Sequence, residues 1–193
     1  MKTRRFSFLI CWLILLPAGL PLSCNKKMRI VKTDDGLTAQ EHIKLGMIYY
    51  QDQEFAPAKK QFLAALDQDK KISDAWFGLG LCDNRQGDYK KAVEDFKAAL
   101  ELKPDFAEAR NNLADSYLKL GDIESAEKEV KTAISLAGEN IGFYRLTYAE
   151  VLFAKKEIEY GCAELALAKN NPGKDPSLRS LITPLWEQNC DNR

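Results

Sequence analysis

The stretch WFGLGLCDNRQGDYKKAVEDFKAALELKP (76–104) decides the fold, because its small and apolar residues recur 34 positions away on both sides. Leu79-Gly80 corresponds to Leu45-Gly46 before it and to Leu113-Ala114 after it. The other recurring sets are Ala58, Ala92 and Ala126; Phe62, Phe96 and Val130; and Ala65, Ala99 and Ala133. Such a fixed period indicates an array of identical supersecondary units.

Each unit contains two apolar runs at helical spacing, separated by a turn. The turn is Gly87-Asp88 in one unit and Gly121-Asp122 in the next. Gly87 tolerates a left-handed backbone, and we expect Asp88 to cap the helix that begins near Tyr89. The predicted helices are 39–52 with 55–68, 73–86 with 89–102, and 107–120 with 123–136.

A fourth, degenerate pair is predicted at 142–155 and 158–170, with one residue inserted within 137–140. Residues 176–189 are predicted to form a terminal helix that covers the last apolar face. Pro184 should break or restart this helix, and Thr183 would cap the second piece.

With Trp76 and Pro104, these residues match the pattern W-x2-L-G-x2-Y, then A-x3-F, then P. The chain therefore resembles tetratricopeptide-repeat (TPR) proteins over residues 39–175, with repeats 39–72, 73–106, 107–140 and 142–175. The resemblance implies an all-α fold: a right-handed α-α superhelix of about four helix pairs, with 176–193 as a C-terminal cap. TPR domains bind other proteins on the concave side, which the first helix of each pair lines.

The first residues have the features of an export signal. Lys2, Arg4 and Arg5 precede an uncharged, nearly continuous apolar run, 6–16, which is short for a membrane span. Leu22-Ser23-Cys24 resembles a bacterial lipobox, in which the cysteine after the cleavage site carries a diacylglyceryl group. It departs from that pattern at Pro21, where Leu is usual.

We therefore expect residues 1–23 to be a lipoprotein signal peptide and 24–38 to be a lipidated cysteine with a polar tether. The alternatives are ordinary signal cleavage and an uncleaved N-terminal anchor. Asn25 follows the cysteine, and an Asp there would suggest inner-membrane retention by the enteric rule. The expected location is the periplasmic face of a bacterial outer membrane, where buried acyl chains would anchor the protein.

The remaining cysteines suggest two different roles. Cys82 lies within a predicted first helix and should be a buried free thiol. Cys162 and Cys190 approach the same end if their helices pack antiparallel, and an oxidising compartment would permit a disulfide between them. The alternative is two unpaired thiols. Such a bond would add roughly 3–4 kcal/mol of stability.

Composition argues against nucleic-acid binding and catalysis. The 193 residues are 46% hydrophobic, and without residues 1–23 the chain has 25 basic and 28 acidic residues, so no basic surface is expected. His42, the single histidine, occupies a place that is usually apolar, and a structural role is expected rather than a catalytic one. The sequence has no phosphate loop, no zinc-ligand spacing and no nucleophile–base set. We predict a non-enzymatic protein without cofactor or metal.

The TPR resemblance also places the partner-binding positions. The groove residues that it implies are Ile43, Met47, Tyr50, Phe77, Leu81, Asn84, Arg85, Asn111, Asn112, Asp115, Leu118, Leu146, Glu150 and Phe153. This set predicts a largely apolar groove for an amphipathic helix or an extended apolar segment. The alternative is that Ile43, Phe77 and Leu81 only pack between repeats. Ile43, Met47 and Glu108 occupy positions where a carboxylate clamp needs Lys or Asn, so that clamp is not expected.

The predicted anchor and the short repeat array together resemble the pilotin-like lipoproteins of type IV pilus biogenesis, the PilF/PilW/Tgl group. That resemblance implies an assembly factor whose groove captures a secretin subunit at the outer membrane. A second hypothesis is a scaffold for peptidoglycan-remodelling or outer-membrane assembly machinery. A third is an enzyme accessory that binds a small ligand.

Overall fold

The computed structural model describes residues 36–138, 141–171 and 177–191. Cys24 and the predicted signal peptide lie outside these residues. The described chain is all-α, and no strand occurs in it. Its helices are α1 Ala39–Gln51, α2 Phe55–Gln68, α3 Ser73–Arg85, α4 Tyr89–Leu102, α5 Ala107–Leu120, α6 Ile123–Ser135, α7 Ile141–Ala154, α8 Ile158–Asn170 and α9 Ser177–Asn189. Each begins and ends within one residue of its predicted position. No described helix has the length and hydropathy that a membrane crossing requires.

Successive helices form antiparallel pairs that stack into one array. The pairs are α1 with α2, α3 with α4, α5 with α6, and α7 with α8, and each second helix also packs on the next first helix. The first helices α1, α3, α5 and α7 contact one another in order, whereas the second helices make no such contacts in the described chain. The first helices therefore line the inner side of the array, and their solvent-facing residues form the surface that we call the inner face.

Phenylalanine rings packed on glycines hold the helices close together. The Phe62 ring lies between Gly46 and Gly78, where an added Cβ would stand 2.7 and 2.5 Å from ring carbons. Phe96 packs on Gly80 in the same way, at 2.6 Å. Both rings are fully buried. The recurring glycines are thus required by close helix packing, as the sequence predicted.

Each of the four repeat turns contains a residue in the left-handed conformation, which is a glycine in two turns and a residue with a side chain in the other two. Gly87 and Gly121 have φ of 82° and 80°. The corresponding residues of the first and fourth repeats are Gln53 and Lys156, with φ of 62° and 66°. A side chain makes this conformation unfavourable by about 1 kcal/mol, so the outer two turns are strained where the inner two are not.

The helix caps differ between repeats. Thr38 and Glu41 form a capping box, and hydrogen bonds from Thr38 lower the pKa of the Glu41 carboxyl. The Asp122 carboxylate accepts a bond from the Ser125 N–H at 3.2 Å. Asp88 is the N-cap residue of α4, as predicted, but its carboxylate accepts a hydrogen bond from Lys91 Nζ at 2.6 Å and forms no side-chain cap. An ammonium within reach displaces a backbone donor because a charged pair is the stronger bond.

The fourth repeat keeps the core pattern with the predicted shift of one residue. Gly161, Leu165 and Ala168 are buried at the places that Ala126, Val130 and Ala133 occupy in the third repeat, 35 positions earlier. A Cβ on Gly161 would stand 2.3 Å from the Phe153 ring, so this hairpin is as tightly packed as the others.

The predicted break at Pro184 is wrong, because α9 continues through it. Pro184 and Ser180 both lie on the exposed side of the helix, so the Ser180 carbonyl, which loses its usual N–H partner, is open to solvent. Thr183 is not a cap, and its hydroxyl donates to the Arg179 carbonyl at 2.9 Å. Burial of Leu178 and Ile182 holds the other side of α9 against the preceding hairpin.

Candidate functional site

Four predicted groove residues belong to the core. Ile43, Phe77, Leu81 and Leu146 are only 6%, 7%, 9% and 7% exposed. The Phe77 ring lies 5.8 Å from the Phe96 ring and 4.8 Å from the Phe106 ring. These side chains pack within and between repeats and leave little surface for a partner. The expectation of a largely apolar groove is therefore wrong.

Most accessible side chains of the inner face are polar, and a smaller number of apolar side chains are partly exposed. Its accessible or partly accessible predicted residues are Met47, Tyr50, Asn84, Arg85, Asn111, Asn112, Asp115, Leu118, Glu150 and Phe153. The apolar rows are set by core packing at helical spacing, because one side of each first helix must cover its partner helix. The polar residues between these rows do not have to cover the partner helix, and they form most of the accessible surface of the inner face.

A hydrogen-bonded network joins α3 to α5 on this face. Asn84 Nδ2 donates to Asp115 Oδ2 at 3.1 Å and to Ser116 Oγ at 2.9 Å. The buried Ser116 hydroxyl in turn donates to the Asn112 carbonyl at 2.9 Å. Ser116 was not among the predicted groove residues, although a hydroxyl within an otherwise apolar helical row was a signal for it. The network fixes the orientation of Asn84 and Asp115.

A hydrogen bond between Arg85 and Tyr50 joins the first and second repeats. Arg85 Nε donates to the Tyr50 hydroxyl at 3.2 Å, and this bond is the main cause of the raised pKa of the guanidinium. The two side chains, with Gln51, Gln53 and Phe55, line a cavity of about 300 Å³. Its open rim and mixed polarity suit a side chain of a bound segment more than a small enclosed ligand.

Carboxylates occupy the inner face of the third and fourth repeats. Glu108 is exposed to solvent, and partial desolvation by the surrounding protein raises its pKa, Asp74 raises it further, and Lys103 partly offsets the effect. Burial also raises the pKa of Glu150, with Lys119 opposing the shift and Asp115 adding to it. Asn111 Oδ1 on the same face is buried and accepts no hydrogen bond within the described chain. Lys103 and Lys119 thus offset the shifts of these two glutamates in part.

His42 contacts a side chain of the second helix of its repeat, and equivalent contacts occur in other repeats. Its Nδ1 lies 2.7 Å from Gln61 Oε1, and the ring is 1% exposed. The corresponding positions of the third and fourth repeats hold Arg110–Glu129 and Arg145–Glu164, each with an N···O distance of 2.6 Å. The histidine thus occupies a structural position that joins the two helices of its repeat.

The second repeat has a carboxyl pair instead. Asp95 lies where Glu129 and Glu164 lie, but its hydrogen bond is to the buried Asp83, which in turn pairs with Lys59 of α2. Burial, followed by the Asp83 contact, raises the pKa of Asp95 to about 7. A hydrogen bond between two carboxyls requires a proton, so this pair holds one in the neutral pH range.

The cysteines of the described chain differ in state. Cys82 is a buried free thiol, as predicted, and burial raises its pKa to about 12, which makes it unreactive at neutral pH. Cys162 and Cys190 are joined in a disulfide with a Cα–Cα distance of 5.9 Å. This bond fastens the end of α9 to the start of α8. No group of three or more potential metal ligands occurs among the described residues.

Two tetratricopeptide-repeat family models match the chain, one over residues 43–105 and the other over residues 84–141. A peroxisomal targeting signal receptor of Candida glabrata is 33% identical over 92 residues, which are 48% of this chain and 16% of that protein. The chain spans only 14–20% of the length of this and two similar eukaryotic relatives.

Solved structures show the same fold. A thermophilic TPR protein of Thermus thermophilus has a TM-score of 0.70 at 20% identity, covering 78% of this chain and 82% of its own. Pseudomonas aeruginosa pilF has a TM-score of 0.68 at 20% identity, covering 78% and 68%. At this identity the likeness concerns the fold, and the predicted all-α TPR superhelix is confirmed. The repeat fold is typically a non-catalytic scaffold, and TPR domains bind other proteins. The two family models together match residues 43–141, and the chain therefore contains tetratricopeptide repeats over this segment.

Proposed function

We propose that this protein is a lipid-anchored, non-enzymatic assembly factor of the bacterial envelope that captures a secretin subunit on its inner face. The observation that carries the proposal is the row of oriented polar side chains that the core does not use, Asn84 and Asp115 above all. The Cys24 motif and the fold likeness to pilF support the choice of an envelope partner.

The proposed mechanism combines weak capture with confinement. Acyl chains on Cys24 would hold the repeats at the membrane surface, and the polar segment 25–38 would let them reach a subunit there. Confinement raises the effective concentration of the two proteins, so even a modest groove affinity suffices. The repeats need only hold an unassembled segment until a neighbouring subunit replaces them.

The groove is tested by a variant on its surface. Phe77 and Leu81 are unsuitable, because a charge at either would disrupt the core. Asn112→Arg places a long cation in the middle of the inner face, while Glu101→Arg makes the matched change at an exposed site of α4. We expect Asn112→Arg to abolish co-purification of a secretin subunit from detergent-solubilised envelopes, with Glu101→Arg unaffected.

Equal recovery of the secretin with both variants would contradict the groove assignment. If murein synthases or hydrolases, or outer-membrane assembly proteins, co-purify in place of secretin, the scaffold hypothesis replaces the one proposed. If only small molecules shift the melting temperature, the ligand-binding hypothesis does.

The anchor is tested separately. Cys24→Ala should lose the acyl chains and leave the outer-membrane fraction, whereas Asn25→Ala should stay there. Mass spectrometry of the N-terminal peptide measures the acyl mass directly. A Cys24→Ala protein that fractionates as before would refute the lipoprotein assignment.

A further inference from the structure

Helix α9 has the residue pattern of a first helix, continued into a fifth repeat. Leu178 and Arg179 stand 34 positions after Tyr144 and Arg145 of α7. Leu178 and Tyr144 are both buried. Among the described residues, however, α9 packs only on α7 and α8, and no second helix covers its other side. Helix α9 is therefore an unpaired first helix.

The side of α9 that a second helix would cover is open to solvent. Gly46, Gly80, Ala114 and Ala149 hold one corresponding position in the four hairpins, and all four are buried. In α9 this position is Thr183, which is exposed. The exposure of Thr183 therefore marks the place where the second helix packs in every complete repeat.

A cavity of about 280 Å³ lies on this open side. Its walls include Arg179, Thr183 and the partly exposed Trp186, and the buried Ile182 contributes an apolar surface. Lys169 of α8 lines the other wall, with Nζ 5.8 Å from the centroid of the Trp186 ring. We call the surface formed by these five residues the α9 groove. It is concave, with an apolar floor and two cations at its edges.

The charges of the α9 groove are separated along the helix. Arg179 lies one turn before Thr183, and Glu187 lies one turn after it, so about 12 Å of helix separates the two charges. Arg179 has no carboxylate oxygen within 4.0 Å in the described part of the chain. Asp191, which also lines the cavity, accepts a hydrogen bond from Trp186 Nε1 at 2.7 Å. An anionic group can therefore approach Arg179 at the end of the groove away from Glu187.

The complete hairpins define what an incoming helix must carry. Arg110, which stands where Arg179 stands in α9, reaches Glu129 of α6 with an N···O distance of 2.6 Å. Val130 directly after this acid is buried in the hairpin, as are Ala126 and Ala133. The fourth hairpin repeats the arrangement. A helix that pairs with α9 therefore needs an acid followed by an apolar residue, with a small residue three positions before the acid and another three positions after the apolar residue.

The size of Thr183 restricts the apolar residue. In the second repeat Gly80 packs against the Phe96 ring, whereas in the third repeat Ala114 clusters with the smaller Val130. Because a threonine side chain is larger than glycine or alanine, an aliphatic residue fits opposite it better than phenylalanine.

A second copy of this chain is poorly suited to supply the helix. Its Val130 and Leu165, the apolar residues that follow an acid in α6 and α8, are fully buried in their own hairpins. In α9 itself, Glu187 is followed by the polar Gln188. A copy would therefore have to open a hairpin to present the required pair.

We propose that the α9 groove binds an amphipathic α-helix of another protein, antiparallel to α9, that carries Asp or Glu directly followed by Val, Ile or Leu. Small residues lie three positions before the acid and three positions after the aliphatic residue. The acid pairs with Arg179, and the aliphatic side chain packs on Thr183 and Ile182, so the bound helix completes a fifth hairpin. The groove is separate from the inner face, and the inference does not depend on secretin capture.

The test uses the second helix of the third repeat as a probe. A fluorescein-labelled peptide of residues 123–136, IESAEKEVKTAISL, is titrated with the full chain in a nonionic detergent, and fluorescence anisotropy measures Kd. We expect saturable binding with a Kd below about 200 µM, since so short a helix must fold as it binds. In the peptide, Glu129→Lys should weaken binding about 10-fold and Val130→Phe about 3-fold.

Charge reversal locates the site. Arg179→Glu in the protein should weaken binding of the unchanged peptide about 10-fold and restore the affinity of the Glu129→Lys peptide to within about 3-fold of the original pair. Lys90→Glu, the matched reversal at an exposed site of α4, should alter neither affinity. Asn112→Arg, which changes the inner face, should alter neither as well. Because Arg179 is exposed, its replacement should not unfold the protein, and circular dichroism of each variant checks this.

No saturable binding up to about 1 mM, equal affinity for all the peptides, or no recovery in the charge-reversed pair would each overturn the inference. Loss of binding in Asn112→Arg would do so too, because it would move the site to the inner face. Sedimentation velocity adds a further check: self-association of the chain that Arg179→Glu abolishes would show that a second copy occupies the groove, against the inference. Secretin co-purification tests the proposed function separately.

Discussion

The second and third repeats place different chemistry on the same backbone. In the third, Arg110 donates to the Pro104 carbonyl at 2.8 and 3.1 Å and reaches across to Glu129. In the second, Trp76 Nε1 donates to the Lys70 carbonyl at 3.1 Å, the same bond one repeat earlier. The indole carries no positive charge to set against Asp95, and burial followed by the contact with Asp83 raises the pKa of Asp95 to about 7.

The comparison shows that one residue per repeat sets the electrostatic character of a hairpin without changing its fold. Arg145–Glu164 repeats the ion pair of the third repeat, and in His42–Gln61 a side-chain amide takes the place of the carboxylate. The second repeat is the exception. Its carboxyl pair depends on Lys59 from the preceding repeat, so its stability is tied to a neighbour and to pH.

Removing the cation of the third repeat should have the largest effect. Arg110→Met leaves Glu129 partly buried without its partner and the Pro104 carbonyl without its donor. We expect the free energy of unfolding to fall by roughly 2–3 kcal/mol, measured by urea denaturation at pH 7. Arg145→Met should destabilise in the same direction through the loss of the Arg145–Glu164 pair. A loss below about 0.5 kcal/mol in both would mean that the pair contributes nothing.

Removing the Asp95 carboxyl from the second repeat should instead increase the free energy of unfolding at pH 8. The folded pKa of Asp95 is about 7, above the unfolded value near 3.9, so the stability that it contributes is complete below pH ~4 and is lost as pH rises through 7. Asp95→Asn should therefore raise the free energy of unfolding at pH 8 by about 1–2 kcal/mol. Lys59, Asp83 and Glu94 are the charges nearest to the site.

The matched control is Glu129→Gln in the third repeat, which should destabilise at pH 8 because it removes an ion pair. Urea denaturation between pH 4 and pH 8 gives both results. If Asp95→Asn leaves the pH dependence of stability unchanged, Asp95 does not hold the proton.

Converting the second repeat to the third is a direct test of the comparison. Trp76→Arg keeps a donor for the Lys70 carbonyl and adds a cation opposite Asp95. We expect the pKa of Asp95 to fall by one unit or more, since a neighbouring opposite charge favours the carboxylate. Carbon-detected NMR titration of the carboxyl group measures it. An Asp95 pKa that stays near 7 would show that the introduced arginine does not approach the Asp95 carboxylate.

The turns offer the smallest expected effect. Gln53→Gly should raise the free energy of unfolding by about 0.5–1 kcal/mol, because it relieves a left-handed residue. Gly121→Ala should lower it by a similar amount in the third repeat, where nothing crowds an added Cβ. Thermal denaturation followed by circular dichroism distinguishes the signs. Matching shifts of the same sign would exclude backbone strain as the cause.

The sequence predicted which residues lie on the inner face better than it predicted which of them are accessible to a partner. The TPR pattern assigned Asn84, Asn112 and Asp115 to the inner face, where the structure has them. It gave Ile43 and Phe77 the same status, although a register rule cannot separate a side chain that faces a partner from one that faces the next helix. That distinction depends on interhelical distances set by contacts such as Phe62 on Gly78.

The sequence alone determined the helix bounds, the repeat period and the tight packing sites, because 34-residue recurrence of small residues expresses local helix geometry that every copy must satisfy. Tertiary structure decided which inner-face residues stay accessible, that Asp95 meets Asp83, and that α9 passes through Pro184. These outcomes depend on side chains from different helices meeting at distances of a few ångströms, and no spacing along the chain encodes such distances.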